Sequence, residues 1–256
     1  MRAPAGPALT VDAPDDHPWH HGLWFTIKYV NGENFWEELE DYGVLRHRDD
    51  PPVRTRSTAD ALEIAGGIDW IRPDRETVVI REERRFTHTA DTADAYHLDV
   101  ETTLTPTVDV VLDRTPFDVW VGCAGGLAFR GRPDLRAHAS SSPTDGETQR
   151  IEGEPAEGLD LSGTVDGVHA GVALLDAPDN PRHPVWWYGS TRHATYAAGD
   201  DDWSNFVNAA FLFHEPLEVA GGDQLRLRYR VVVHDGLWTH RDLSAATDRY
   251  RQDLGR

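Results

Sequence analysis

The chain has 256 residues, a formal net charge of −19 and one cysteine, Cys123. A chain of this length buries enough apolar surface to fold without a disulfide or a structural metal. One thiol excludes an internal disulfide framework and any zinc or iron–sulfur site built on cysteines. The excess of 44 acidic over 25 basic residues removes the electrostatic attraction that drives nucleic-acid binding.

No run of apolar residues is long enough to cross a bilayer, so no membrane partner is expected. The first residues lack the apolar segment of a secretory signal, and we therefore expect a cytoplasmic protein.

Alternation of apolar and polar residues predicts a chain built almost entirely of antiparallel strands. In chain order, strands are predicted over residues 23–30, 61–70, 77–87, 97–105, 119–124, 126–130, 168–175, 185–188, 193–197, 209–214 and 224–234. Glycine-bearing pairs such as Asn31-Gly32 supply the turns between them. Residues 132–158 are rich in Ser, Pro, Asp, Glu and Gly, which predicts a long surface excursion.

One helix is predicted over residues 240–254, where Leu243, Thr247, Tyr250 and Leu254 fall on one face. Asp242 and Ser244 are its candidate caps. The predicted fold class is therefore all-β: one domain over residues 1–256, in which two large antiparallel sheets form a sandwich and one C-terminal helix packs across a sheet.

Histidines and tryptophans are dense between residues 16 and 25, where His17, His20 and His21 accompany Trp19 and Trp24. Histidine exchanges protons near neutral pH, so the cluster suits general acid–base catalysis or metal binding. His20 and His21 are adjacent and point to opposite faces of an extended chain, so only one of them readily shares a site with His17. No cofactor is predicted, but a divalent metal held by His17 and His20 stays open as an alternative.

The strand that follows carries Lys28 between apolar Ile27 and aromatic Tyr29. Such surroundings could desolvate the ammonium group and hold it near a developing oxyanion. Asn31 and Asn34 follow in the next turn, and their amides are candidate ligands of substrate hydroxyls.

A second cluster between residues 180 and 203 contains His183, Trp187, Arg192 and His193, and His214 follows it. Indoles stack on the C–H faces of sugars, while arginine and histidine bind hydroxyls. Trp186 and Trp187 alternate faces on a strand, so one of them is expected in the core.

Glu82 and Glu83 stand among Arg81, Arg84 and Arg85, and this interleaving favours cross-strand ion pairs over catalytic carboxylates. Neither a phosphate-binding glycine loop nor a dinucleotide fingerprint is present, so ATP and nicotinamide chemistry is not expected.

The residues 17–25, read as His-Pro-x-His-x-Gly-Leu-Trp-Phe, and Asn-Gly-x-x-Phe-Trp over 31–36 resemble the PmoA-like family, labelled "methane oxygenase PmoA". The likeness continues at residues 125–130, 180–187 and 228–236. It implies a β-sandwich similar to galactose mutarotase. Methane oxygenation is not expected, because the oxygenase subunit of that name is a membrane protein and this chain has no span. Residues 2–10 look like the middle of a longer region, so an edge strand is missing or the start is misplaced.

The first hypothesis is a carbohydrate-active enzyme of epimerase, lyase or hydrolase type. In it His20 or His21 transfers protons, Lys28 and Asn31 polarise the substrate, and His183 and His193 complete the site. His17, Trp24, Asn31, Asn34, Trp187, Arg192 and His214 are the candidate substrate-binding residues. The alternatives are a non-catalytic carbohydrate-binding or regulatory module and a metal-dependent enzyme that uses His17, His20 and His21.

Overall fold

The computed structural model describes residues 1–118, 125–132, 138–139, 150–190 and 205–255. The strands are β1 (Leu23–Thr26), β2 (Tyr29–Val30), β3 (Glu33–Asn34), β4 (Val44–His47), β5 (Arg54–Ser57), β6 (Ala61–Ile71), β7 (Val78–Ala90), β8 (Ala95–Pro106), β9 (Val110–Asp113), β10 (Gly126–Arg130), β11 (His138–Ala139), β12 (Arg150–Pro155), β13 (Gly158–Val165), β14 (Val168–Asp176), β15 (Trp186–Ser190), β16 (Phe206–Ala209), β17 (Leu217–Val219) and β18 (Leu225–Asp235). The helix is α1 (His240–Leu254).

Over the described ranges, the strands form three antiparallel sheets. The largest has nine strands in the order β11-β13-β14-β18-β8-β7-β6-β4, with β5 also paired to β6. A five-stranded sheet has the order β1-β10-β16-β15-β12, and a four-stranded sheet has the order β17-β9-β2-β3. The predicted all-β sandwich is confirmed, and the small third sheet is an addition to it.

Strand β18 shows why the sequence folds this way. Leu227, Tyr229, Val231 and Val233 are fully buried, and through Val231 they alternate with arginines, as the period of a strand requires. Tyr229 pairs with Val100 of β8 and contacts the ring of Phe25 on β1, with ring centroids 6.5 Å apart. The nine-stranded and five-stranded sheets therefore share one core.

The C-terminal helix is confirmed over its predicted range. Leu243, Thr247 and Tyr250 are its buried residues, and they pack beside Ala173, Leu175 and Val232 on the outer face of the nine-stranded sheet. Its N-cap is Thr239, whose backbone N–H donates to Asp242 Oδ2 at 2.9 Å, so Asp242 takes part at the third helical position and Ser244 does not cap.

Two strand predictions need correction. The strand predicted over residues 23–30 is broken into β1 and β2, which belong to different sheets, with Ile27 and Lys28 buried between them. The strand predicted over 209–214 is wrong, because β16 ends at Ala209 and the residues after it form a turn. The strands predicted over 119–124 and 193–197 lie outside the described residues.

The surface excursion predicted over residues 132–158 is wrong at its C-terminal end. Residues 150–155 form β12, in which Ile151 and Gly153 are buried and alternate with exposed Glu152 and Glu154. That alternation is a strand signal, which the polar composition of the whole segment concealed. In the described residues no helix has both the length and the apolar character needed to cross a membrane.

Candidate functional site

A cleft of about 240 Å³ opens between β1, the loop from β3 to β4, and the inner face of the nine-stranded sheet. Tryptophans from two segments meet in it, so we call it the tryptophan cleft. It is lined by Trp19, His21, Trp24, Phe25, Thr26, Phe35, Trp36, Glu38, Tyr42, Gly43, Val44, Leu45 and Arg84. Aromatic walls with a few charged groups are typical of sites for small polar molecules.

The acid–base group of the tryptophan cleft is His21. Its Nδ1 lies 2.9 Å from Asp12 Oδ1, and its Nε2 lies 3.0 Å from Glu38 Oε1. Partial burial lowers the pKa of His21, but the hydrogen bonds and charges of the two carboxylates outweigh it, so the pKa is raised above 6.5. His21 therefore forms an imidazolium–carboxylate pair with Glu38, and both residues line the cleft.

The indoles of Trp24 and Trp36 meet edge to face, with ring centroids 5.6 Å apart and an interplanar angle of 64°. The indole N–H groups of Trp19, Trp24 and Trp36 are buried and have no hydrogen-bond acceptor in the part of the chain that the structure describes. Buried polar groups nearly always find a partner in protein, water or ligand. Three such donors therefore lie around one cleft.

Arg84 supplies a fixed cation at the floor of the tryptophan cleft. Its Nε and Nη2 donate to the two oxygens of Glu82 at 2.5 and 2.9 Å, and Nη2 also donates to the Phe25 carbonyl at 3.1 Å. Glu82 is fully buried. Glu82 therefore pairs with Arg84 along β7 and not across strands as predicted. Glu83 forms an ion pair with Arg48, outside β7.

His20 lies behind the tryptophan cleft and does not line it. Its side chain is 1% exposed, stacks between His17 and Phe206, and has Nδ1 3.2 Å from Arg130 Nη1. Burial, together with the charges of His17 and Arg130, lowers the pKa of His20 to about 2. His20 is therefore neutral, and of these two predicted acid–base residues only His21 lines the cleft. His20 and His21 point in opposite directions, as their adjacent positions in the sequence predicted.

The rings of His17 and His20 lie parallel, with centroids 4.7 Å apart and an interplanar angle of 20°. His17 Nδ1 bonds to Asp16 at 2.8 Å, and Asp16 also accepts both hydrogen bonds of Arg130 Nη2. Stacked imidazoles do not converge on one ion. Over the described residues, no group of three or more His, Cys, Asp or Glu is arranged to hold a metal.

Lys28 is 3% exposed and forms an ion pair with Glu37, outside the tryptophan cleft. Asn31 has a φ of 52° and bonds to the backbone of Asp109 and Val111. The Asn34 side chain accepts from the backbone of Trp36 and Glu37. The structure thus gives these three predicted site residues roles in holding the turns around the cleft, not in lining it.

His183 is also separate from the tryptophan cleft. It follows β14, and its Nδ1 lies 2.7 Å from Asp176 Oδ2. Asp176 further accepts from Asn180 Nδ2 at 2.7 Å and from the Val185 backbone at 3.1 Å. The expected union of His183 with His20 and His21 in one pocket is therefore wrong.

The remaining predicted site residues lie in different parts of the fold. Trp187 is fully buried and donates to the Ala156 carbonyl at 2.9 Å, so it is the core member of the Trp186–Trp187 pair. His214 is exposed, donates to the Gly153 carbonyl and meets Trp186 edge to face at 4.7 Å. Trp24 does line the cleft. Arg192 and His193 lie outside the described residues.

Sequence reasoning did not single out Glu38, Tyr42 or Arg84 as site residues. Glu38 had a signal, since it is the second residue after the Asn-Gly-x-x-Phe-Trp segment. Arg84 had none, because only the register of β6, β7 and β8 shows which side of the sheet it faces.

Comparison with protein families matches residues 1–248 to a family described as "Family of unknown function (DUF6807)". Comparison with curated proteins finds no match. The family match spans every residue of the tryptophan cleft.

Proposed function

The chain belongs to the family of unknown function DUF6807, and from the tryptophan cleft we propose that it binds a carbohydrate there and transfers protons on it. The observation that carries the proposal is the meeting of three indole N–H donors, which have no acceptor among the described residues, with a fixed cation and an imidazolium–carboxylate pair. The resemblance to the PmoA-like family and the cytoplasmic location stay predictions and carry no part of it.

Each group of the cleft has a chemical task in this proposal. The half-buried indoles of Trp19 and Trp24 stack on the C–H faces of the sugar, and a small shift of the indoles on binding opens their buried N–H groups to its hydroxyl oxygens. Arg84 Nη1, which makes no hydrogen bond to a described residue, donates to a further oxygen.

Glu38 and His21 carry the proton transfer. Glu38 as carboxylate takes a proton from the sugar, and His21 as imidazolium returns one to a sugar oxygen. This step suits an epimerase or a lyase, and in a hydrolase Glu38 would take its proton from the attacking water instead.

A second candidate is a non-catalytic carbohydrate-binding module. It is favoured by one observation: both ring nitrogens of His21 already contact carboxylates, so neither is directed at a ligand in this structure. In that case His21 only holds Glu38 and the segment before β1 together.

The test is a panel of monosaccharides and methyl glycosides, scored by melting temperature and by NMR detection of product. A ligand that binds only the native state raises the melting temperature. For the enzyme, Glu38→Gln and His21→Asn abolish product formation and keep the melting shift. His183→Asn is the matched control outside the cleft and keeps both. Absence of a melting shift with every sugar would refute the proposal, and binding without product would favour the binding module.

A further inference from the structure

An apolar surface continues from the tryptophan cleft along the same face of the nine-stranded sheet. Phe86 and His88 follow Arg84 at alternate positions of β7, so the three side chains leave the same face. On β6, Ile64 is directly opposite Phe86, and Leu62 is opposite His88. Directly opposed residues of antiparallel strands share a face. We call Leu62, Ile64, Phe86 and His88 the apolar strip.

The apolar strip is open to solvent. Leu62 is 40% and Ile64 is 41% exposed, His88 is exposed and Phe86 is half-buried. The other face of the same strands is charged, with Arg85 between Glu63 and Glu101. Apolar side chains are thus concentrated on the side of the cleft.

The apolar strip lies close to the tryptophan cleft. A strand advances about 3.4 Å per residue, which places Phe86 about 7 Å and His88 about 14 Å beyond Arg84 along β7. A substituent of one or two rings on a sugar held at Arg84 is therefore long enough to reach Ile64 and Phe86.

We propose that the apolar strip binds an apolar group attached to the sugar, so that the ligand is a glycoside with an apolar aglycone. This inference rests on the proposed function, because it takes the sugar to lie at Arg84. A second copy of this chain fits the strip poorly. A stable interface uses about 20–30 residues on each side, and two copies with a net charge of −19 repel each other.

The experiment compares methyl and 4-nitrophenyl glycosides of glucose, galactose, mannose and xylose by isothermal titration calorimetry. For at least one sugar, the wild-type protein binds the nitrophenyl member about tenfold more tightly, as expected for burial of one face of an aromatic ring. Ile64→Ser loses most of this preference and keeps its affinity for the methyl glycoside. Val111→Ser, at a residue 40% exposed on the four-stranded sheet, is the matched control and keeps the preference.

The outcomes separate the two proposals. Equal affinity of the wild type for both members of every pair that binds overturns the apolar strip as a subsite and leaves the proposed function standing. Failure of every methyl and nitrophenyl glycoside to bind overturns both. A concentration-dependent dimer in sedimentation velocity, abolished by Ile64→Ser, overturns the subsite in favour of self-association. Leu62→Ser repeats each comparison if Ile64→Ser does not fold.

Discussion

Arg84 and Glu82 stand two residues apart on one face of β7, and the guanidinium donates to both carboxylate oxygens. The same carboxylate accepts from Trp70 Nε1 at 2.8 Å and from Thr102 Oγ1 at 2.5 Å. These bonds leave the plane of the guanidinium little freedom. A buried carboxylate in the core of the nine-stranded sheet therefore sets the position of the cation in the tryptophan cleft.

Glu82→Gln tests this dependence. The variant removes the charge that Arg84 faces in a fully buried position, and we expect it to lose about 2–4 kcal/mol of unfolding free energy. Sugar affinity is expected to fall about tenfold, because Arg84 loses its anchor. Urea denaturation and calorimetry measure the two effects. Glu83→Gln, at an exposed residue, is expected to change stability by less than about 1 kcal/mol. Unchanged sugar affinity in folded Glu82→Gln would contradict the role given to Glu82.

Acid stability tests the link between Asp16 and Arg130. Burial raises the pKa of Asp16, but hydrogen bonds from His17 and Arg130 outweigh it and lower the pKa from 3.8 to about 2. A carboxyl with a depressed folded pKa stabilises the fold above its unfolded pKa, and the contribution is lost as the pH falls toward the folded value. Asp16→Asn is therefore expected to lose about 1–2 kcal/mol at pH 7. The difference from wild type should shrink between pH 4 and pH 2, as followed by urea unfolding. A difference that stays constant with pH would be the contrary result.

The titration of His21 tests the imidazolium–carboxylate pair. Its pKa is raised above 6.5 because Asp12 and Glu38 outweigh the effect of burial. The stabilisation from this pair is complete below pH 6.5, the unfolded value, and is lost as the pH rises through the folded pKa. An NMR titration of the imidazole protons should give a folded pKa above 6.5 in wild type and a lower one in Glu38→Gln. Glu40→Gln, an exposed residue in the same loop, should leave it unchanged. A wild-type value at or below 6.5 would argue against the pair.

Two buried tryptophans should respond differently to removal of the indole N–H. Trp70 donates to Glu82, whereas Trp36 has no acceptor among the described residues. Trp70→Phe removes one donor from a buried carboxylate, and we expect it to cost about 1–3 kcal/mol more than Trp36→Phe. Trp36→Phe is expected to weaken sugar binding instead. Equal destabilisation by the two changes, with sugar affinity intact in Trp36→Phe, would contradict the assignment of this N–H to a ligand.

Local pattern was enough to predict much of the fold. The alternation of Leu227, Tyr229 and Val231 predicted β18, and the helical spacing of Leu243, Thr247 and Tyr250 predicted α1. β13 was missed although Leu159, Leu161 and Val165 alternate with Asp160, Ser162 and Thr164, as in a strand.

The candidate site was less accessible to sequence reasoning. Adjacent residues of an extended chain diverge, so the sequence could separate His20 from His21, but it could not show which of them reaches solvent. The pairing of β6, β7 and β8 puts Arg84 in the cleft, and β1 belongs to a different sheet from those strands. The position of β7 relative to β1 depends on the whole fold and cannot be predicted from a local pattern.

The most direct test of the tryptophan cleft as a sugar site is a crystal structure of the protein with the sugar that gives the largest melting shift. The sugar is expected in the cleft, with oxygens within hydrogen-bond distance of Arg84 Nη1 and of at least one of the Trp19, Trp24 and Trp36 indole nitrogens. A sugar bound instead beside His183 and Asp176, or on the face covered by α1, would contradict the account.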